Sequence, residues 1–378
     1  MKIAFTGGGS GGHFYPLIAV AEEVNALVDE RRLVKPDLYY LSEAEYDPAL
    51  LYENEIEFRR VVSGKRRVYA SPRNTLDMFK VALGVPAAFS QLLRIYPDVL
   101  FSKGGYVSVP VVYAAHLLRI PVFIHDSDAV PGRANLWAAR YAERIAISYP
   151  EAAAHLKQFA DRIACVGNPV RKAVRSPLTH DAHTYFQFLP ELPTLFIVGG
   201  SQGAEAINNT VFQALGELLN DFQIIHQVGR KNYASYKEIL SVSFKDHPHI
   251  GRYRLFPYMR ALDIRMAAGA ADLIISRAGS GSIFEIACWE KPSILIPIPE
   301  EVSRDQRQNA FAYARAGCAE VIEQDNFTPH IFLSEVRRLH DDSALLAKMR
   351  ESTKGFARPG AARKIAEELV AMALKHEL

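Results

Sequence analysis

The sequence predicts an α/β protein made of two doubly wound domains, and three observations carry that prediction. Short runs rich in Val, Ile, Leu and Phe alternate with longer amphipathic stretches, as parallel strands joined by crossover helices do. Each apolar run ends where glycine or polar residues begin, the place where open α/β sheets bind ligands. The pattern then starts afresh: TLFIVGGSQGA at 194–204 repeats the logic of IAFTGGGSGG at 3–12, a buried strand, a glycine turn and a helix.

In the first half, residues 2–5, 37–41, 98–101, 121–124 and 144–147 read as strands, with helices near 14–29, 75–95, 108–119 and 133–142. The segment GNPVRKAVRSPLTHDAH from Gly167 has the proline and polar content of an interdomain connection. It sets the expected domains at 1–167 and 168–357. After the strand in 194–204, further strands are expected at 222–227, 252–256, 272–275 and 293–297. The last helix, 358–378, is expected to cross back and pack on the first domain.

Composition narrows the function. The 378 residues are 49% hydrophobic, ample for two cores. Lys plus Arg total 44 and Asp plus Glu 42, a balance of +2 that argues against nucleic acid as the main partner. Three scattered cysteines, Cys165, Cys288 and Cys318, form no CxxC and suit a reducing cytoplasm better than a disulfide framework or a zinc site. MKIAFTGGGSGG has no apolar signal core, so export is not expected. The most apolar stretch, from Val109, is broken by His116, Arg119 and Pro121 and falls short of the roughly 20 residues a membrane span needs.

The loop Gly7-Gly8-Gly9-Ser10-Gly11-Gly12 follows a strand and opens a helix, so its backbone N–H groups and the helix terminus suit a diphosphate. A tight turn without a ligand has the same letters. They also satisfy GxGxxG, for which Glu43 is the available acidic partner, though rather far along the chain. His13, in the first helical turn, suits a general base, and the helix terminus favours its neutral form. The plainer reading is a surface or capping histidine.

In the second half, Arg277 to Glu285 (RAGSGSIFE) forms another glycine turn running into a helix. Glu285 has acceptor capacity for both hydroxyls of a ribose; equally, Ser282-x-x-Glu285 reads as a capping box, which would make both residues structural. Asp126-Ser127-Asp128 has the form of a metal-holding DxD, but polar contacts to substrate fit the common triplet better. Arg171 is either a phosphate partner or a solvated linker residue. Between Arg59 and Lys80 stand seven basic residues (Arg59, Arg60, Lys65, Arg66, Arg67, Arg73, Lys80) against Asp77 alone, followed by Leu76, Phe79, Leu83, Phe89, Leu92 and Leu93 at helical spacing. That is the composition of a peripheral site on an anionic membrane, or of a solvated loop beside a core helix.

Together these segments resemble the MurG family of bacterial peptidoglycan glycosyltransferases, within glycosyltransferase family 28. The likeness runs in order through GGGSGGHFYP at 7–16, KGGYVSVP at 103–110, IHDSDAVPGRAN at 124–135, VGNPVRKAV at 166–174, GGSQGAEAIN at 199–208, SRAGSGSIFEI at 276–286 and DQRQNA at 305–310. The resemblance implies a GT-B fold, two Rossmann-like domains facing a central cleft. It implies inverting transfer of N-acetylglucosamine from UDP-GlcNAc to the 4-hydroxyl of the undecaprenyl-diphosphate-linked acceptor lipid I, giving lipid II at the cytoplasmic face of the inner membrane. No cofactor and no metal are implied.

Carried over by motif, His13 is the candidate base, with Asp126 second. Ser10, Gly11 and Gly12 would line the loop near donor diphosphate and acceptor; Gly104, Gly105 and Tyr106 would serve the acceptor. Arg171, Ser201 and Gln202 would reach the donor diphosphate region, and the backbone near Phe256 and Pro257 the uracil. Ser280, Gly281, Ser282, Ile283, Phe284 and Glu285 would hold phosphate and ribose, with Gln306 and Asn309 on the sugar. Two departures stand out: Asp128 replaces the asparagine of the family's H-E-Q-N run, in the donor-sugar pocket, and Asp305 replaces a histidine. Rival readings are another nucleotide-sugar enzyme such as a UDP-sugar epimerase, a nicotinamide-dependent dehydrogenase, and a noncatalytic membrane scaffold.

Overall fold

A computed structural model describes residues 1–8, 10–62, 73–200, 203–301 and 304–376, with the backbone alone for 73–83, 304 and 376. The chain divides into two compact units, Met1–Arg171 with Arg358–Leu378, and Lys172–Ala357.

The first unit holds strands β1 (Lys2–Thr6), β2 (Asp37–Ser42), β3 (Ile56–Arg60), β4 (Val99–Ser102), β5 (Val122–Asp126), β6 (Arg144–Ile147) and β7 (Ile163–Cys165). All pair in parallel, in the order β3-β2-β1-β4-β5-β6-β7. The winding reverses between β1 and β4, so the loops after these strands flank a natural ligand position. The central strands β4 and β5 are buried throughout because helices cover both faces, which is why 99–101 and 122–124 read as apolar runs. On one face Phe14, Leu17, Ile18 and Leu27 of the helix Gly11–Arg31 pack with Ile365, Leu369 and Val370 of the closing helix Ala361–His376. On the other, Leu92, Val111, Val112 and Ala115 cover Ala4, Leu100, Val122 and Ile124.

The second unit repeats the topology with β8 (Thr194–Val198), β9 (Gln223–Gln227), β10 (Tyr253–Phe256), β11 (Leu273–Ser276), β12 (Ser293–Leu295) and β13 (Ala319–Val321), again all parallel, in the order β10-β9-β8-β11-β12-β13. Its reversal lies between β8 and β11. Ile207, Val211 and Leu215 pack with Phe332 and Val336 on one face, and Ala267, Ile283, Ile286 and Trp289 fill the other.

Three strands, β3, β7 and β13, are absent from the sequence reading. Each lies at a sheet edge; β7 and β13 are only three residues long, and β3 and β13 interrupt their apolar residues with charge (IEFRR, AEV). The helix expected over 108–119 ends at Leu117, because Arg119 turns left-handed at φ 58°. Of the basic-apolar segment, Arg59 and Arg60 end β3 and Leu92 is core, whereas Lys65, Arg66 and Arg67 lie outside the described residues, as do the side chains of Arg73, Leu76, Phe79, Lys80 and Leu83. Among the described residues no helix is long and apolar enough to cross a membrane.

Candidate active site

In the first unit, the loops after β1, β4 and β5 meet. A Cβ on Gly8 would lie 2.7 Å from Val107 Cγ2, so only glycine lets the first glycine loop approach the second so closely. Gly104 and Gly105 take φ of 81° and 80°, the left-handed region that glycine enters without strain. A Cβ on Gly105 would stand 3.1 Å from the Gly8 carbonyl and 3.5 Å from His13 Nε2, which places the histidine ring against the second loop. Tyr106 donates its hydroxyl to Glu43 at 3.0 Å; burial, and then this bond, push its phenol up to about 12. Glu43 therefore anchors the loop that carries Tyr106.

Ser10 is the N-cap of the helix Gly11–Arg31, yet its hydroxyl caps no backbone N–H. It lies 3.0 Å from His13 Nδ1 instead. With Nδ1–H donating to Ser10 Oγ, the lone pair sits on Nε2, the nitrogen that faces Gly105. Burial, and then the charge of Lys103, hold His13 down at about 4, so the ring is neutral at pH 7.

Asp126 is buried and its carboxylate is committed. Oδ1 accepts from the Asp128 N–H at 2.9 Å, and Oδ2 from the Gly132 N–H at 3.1 Å and Asn135 Nδ2 at 2.7 Å. Burial raises it while these donors hold it down. This arrangement makes Asp126 the organiser of the loop 126–135 and corrects its place as second candidate base: a carboxylate held by three donors inside the protein is poorly disposed to take a substrate proton. Asp128 is half-buried beside it. Arg171 stacks its guanidinium over the Tyr15 ring at 4.2 Å from the centroid, so it is a packed and oriented group, not a solvated linker residue.

In the second unit, the helix Ser280–Cys288 starts from Gly279 as its N-cap, at φ −65° and ψ 138°. Ser282 is therefore in the third helical position, and the capping-box reading of Ser282 and Glu285 fails because that motif needs the serine at the cap. Ser280 and Gly281 lie in the first turn, the helix end whose partial positive charge suits an anion. Glu285 is half-buried. Ile283 and Phe284 point into the core, 0% and 1% exposed, so a ligand can meet only their backbone. Gln306 has its Nε2 4.0 Å from the position of a Gly279 Cβ, and its Oε1 accepts weakly from Ile298 N–H at 3.4 Å. The buried Asn309 follows one turn later in the same helix, Arg304–Arg315. The Phe256 carbonyl, at the end of β10 beside Pro257, accepts from Val228 N–H at 3.0 Å. Ser201 and Gln202 lie outside the described residues.

Residues 3–147 match the glycosyltransferase family 28 N-terminal domain, and residues 194–365 the family's C-terminal domain. The chain belongs to glycosyltransferase family 28. Within family 28 it is 36% identical over 353 residues to a Bacillus thuringiensis UDP-N-acetylglucosamine–N-acetylmuramyl-(pentapeptide) pyrophosphoryl-undecaprenol N-acetylglucosamine transferase, covering 93% of this chain and 95% of the relative. A Treponema denticola transferase of the same description is 34% identical over 343 residues, with 89% and 88% covered. The crystal structure of Acinetobacter baumannii MurG shares the GT-B fold with a TM-score of 0.74 at 24% identity, over 98% of this chain and 99% of that one.

One buried residue beside these loops escaped the sequence reading. Lys103 opens the KGGYVSVP motif, and a lysine in a loop reads as solvated; the structure buries it, 1% exposed. Its Nζ lies 2.5 Å from His125 Nδ1 and donates to Ser127 Oγ at 2.5 Å and Asn168 Oδ1 at 3.3 Å. His125 Nε2 is 2.9 Å from the Gly167 carbonyl, so Nε2–H donates there and Nδ1 accepts from the lysine. Burial lowers Lys103 to about 7, against the pull of Asp126 and then Asp128. The signal available was the motif itself, since its partner Asn168 is 65 residues away in the chain.

Proposed function

We propose that this chain is the lipid II-forming transferase of its family: it moves N-acetylglucosamine from UDP-GlcNAc to the 4-hydroxyl of the N-acetylmuramyl residue of lipid I, with inversion at the anomeric carbon. The reading is carried by the match to transferases of that description along nearly the whole chain, through both units. The site residues agree with it chemically. Neutral His13, its Nε2 free to accept and its Nδ1 oriented by Ser10, removes the proton from the attacking hydroxyl. The hydroxyl oxygen forms the new glycosidic bond as the bond to UDP breaks, and the diphosphate leaves with the electron pair.

A diphosphate near the loop Ser10–Gly12 raises His13 again, since an anion favours the imidazolium. The N-terminus of the helix Ser280–Cys288 and the guanidinium of Arg171 receive the charge that builds on the leaving group. Glu285 holds the ribose diol, Gln306 and Asn309 the sugar, the backbone at Phe256 and Pro257 the uracil, and Ser201 with Gln202 the diphosphate region. Gly104, Gly105 and Tyr106 shape the acceptor side. The acceptor is lipid-linked, so the enzyme works as a peripheral protein on the anionic inner face of the plasma membrane, with the basic segment around 59–80 supplying attraction.

The test is mass spectrometry of products from purified protein, UDP-GlcNAc and a short-chain lipid I analogue, with and without a chelator. The expected product is the lipid II mass in both conditions. Absence of that mass, with the protein folded and the analogue competent for a control enzyme, overturns the assignment; a signal only without chelator overturns the metal-free mechanism.

A further inference from the structure

Arg171 closes the first unit, and the chain leading to it is fixed, with Asn168 and Val170 buried. Its side chain is only partly covered, yet the guanidinium Nε is shielded from solvent and meets no hydrogen-bond acceptor among the described residues. What the guanidinium does meet is the Tyr15 ring, 4.2 Å from the centroid. A cation–ring contact consumes no N–H donor, so the group is held in place while its donors remain available. Tyr15 is in turn set by the first glycine loop. A Cβ on Gly11 would lie 2.9 Å from both Tyr15 Cε2 and the Tyr46 hydroxyl, so glycine at that position lets the two rings close over the loop. Tyr46 meets Tyr15 at 86°, with centroids 5.7 Å apart, and leans on the buried Phe14 at 5.1 Å. The series Phe14, Tyr46, Tyr15, Arg171 thus runs from the core to a cation beside the start of the helix Gly11–Arg31.

We propose that Tyr15 is a positioning residue for the donor diphosphate: its ring, and not its hydroxyl, holds the Arg171 guanidinium beside the first glycine loop with N–H donors available to phosphate oxygens. The inference rests on the reading that Arg171 and this loop meet the diphosphate of UDP-GlcNAc. An arginine without the ring must be ordered from many rotamers as the ligand binds, and that ordering weakens binding. A guanidinium already oriented donates to phosphate without the loss. The effect is confined to the diphosphate, because the uracil and ribose are assigned to residues of the second unit. Tyr15 and Arg171 therefore act as one group, and their effects are not independent.

The experiment is calorimetric binding of UDP and of uridine to the full chain carrying Tyr15→Phe, Tyr15→Leu, Arg171→Ala, or Tyr15→Leu with Arg171→Ala, with circular dichroism as the check on folding. Tyr15→Leu is expected to weaken UDP by about threefold to tenfold and to leave uridine unchanged, whereas Tyr15→Phe, which keeps the ring, stays near the parent. In the Tyr15→Leu background, Arg171→Ala brings a smaller loss than it does alone. A ring that merely filled space would weaken both ligands alike or act independently of Arg171. Multiplicative effects on UDP affinity, an equal loss of uridine, or a Tyr15→Phe variant as impaired as Tyr15→Leu each overturn the proposal. Should Tyr15→Leu not fold, Tyr15→Met takes its place. If the parent binds no UDP, or Arg171→Ala binds it as tightly as the parent, the functional reading has failed and the proposal falls with it; a weakened Arg171→Ala beside an undiminished Tyr15→Leu removes the proposal alone.

Discussion

At the scale of single residues, two acid–base groups with similar sequence credentials, the half-buried His13 and the buried Asp126, meet different surroundings. His13→Ala is expected to lower kcat by about 10² to 10⁴-fold with the fold intact, measured by product formation and circular dichroism. The pH profile separates this histidine from an ordinary one. Because its ring is held at about 4, the neutral form persists well below the usual range, and kcat/KM for the free enzyme should stay level to about pH 5 before falling. A midpoint near 6.5 would show that burial and Lys103 do not act on it as described. Asp126→Ala orphans two backbone N–H groups and removes one of the two acceptors of the Asn135 amide, which keeps the His125 carbonyl, and should destabilise the protein by roughly 3 kcal/mol in urea unfolding. The position of His13 beside the glycine loops was legible because a glycine loop and a helix start both pointed at it. The duty of Asp126 was not, because it depends on donors six and nine residues on that fold back over it.

At the scale of elements, the helix Ser280–Cys288 shows how one residue of register decides a role. With Gly279 at the cap, Glu285 is released from capping and left as a half-buried carboxylate more than a turn into the helix. Glu285→Ala should weaken UDP binding and erase the preference for UDP over its 2′-deoxy analogue, both measured by calorimetry; an undiminished preference would remove Glu285 from the ribose. The strands flanking the glycine loops were readable because they are central and apolar on both faces. The edge strands β3, β7 and β13 were not, since half-covered strands need no continuous apolar run and draw their pairing from a neighbour distant in the chain. Lys103 belongs to the same class: nothing local distinguishes it from a solvated lysine, and its partners His125, Ser127 and Asn168 are distant in the chain.

At the scale of the whole molecule, the recurrence of a doubly wound domain was the most legible feature, because the glycine turn after each opening strand repeats in the letters themselves. Less visible was how much the first unit depends on its last helix. Leu369 is fully buried between that helix and the sheet, with Ile365 and Val370 beside it. Leu369→Ala should cost about 2 to 5 kcal/mol, with faster hydrogen exchange in β1 and β4 and little change in β8 and β11. Equal loss of protection in both units would mean that they unfold as one cooperative block.

The return of Ala361–His376 to the first unit also has a temporal side. A ribosome delivers residues 1–171 first and the helix that completes their core last, so the second unit can fold while the first still waits with an apolar face uncovered. The order of synthesis is thus the reverse of the order of completion. During that interval the nascent chain presents Leu17, Leu27 and Val99 without their final cover. This is a window in which chaperones, or a neighbouring nascent chain, would compete for the face that the protein's own last helix is to occupy.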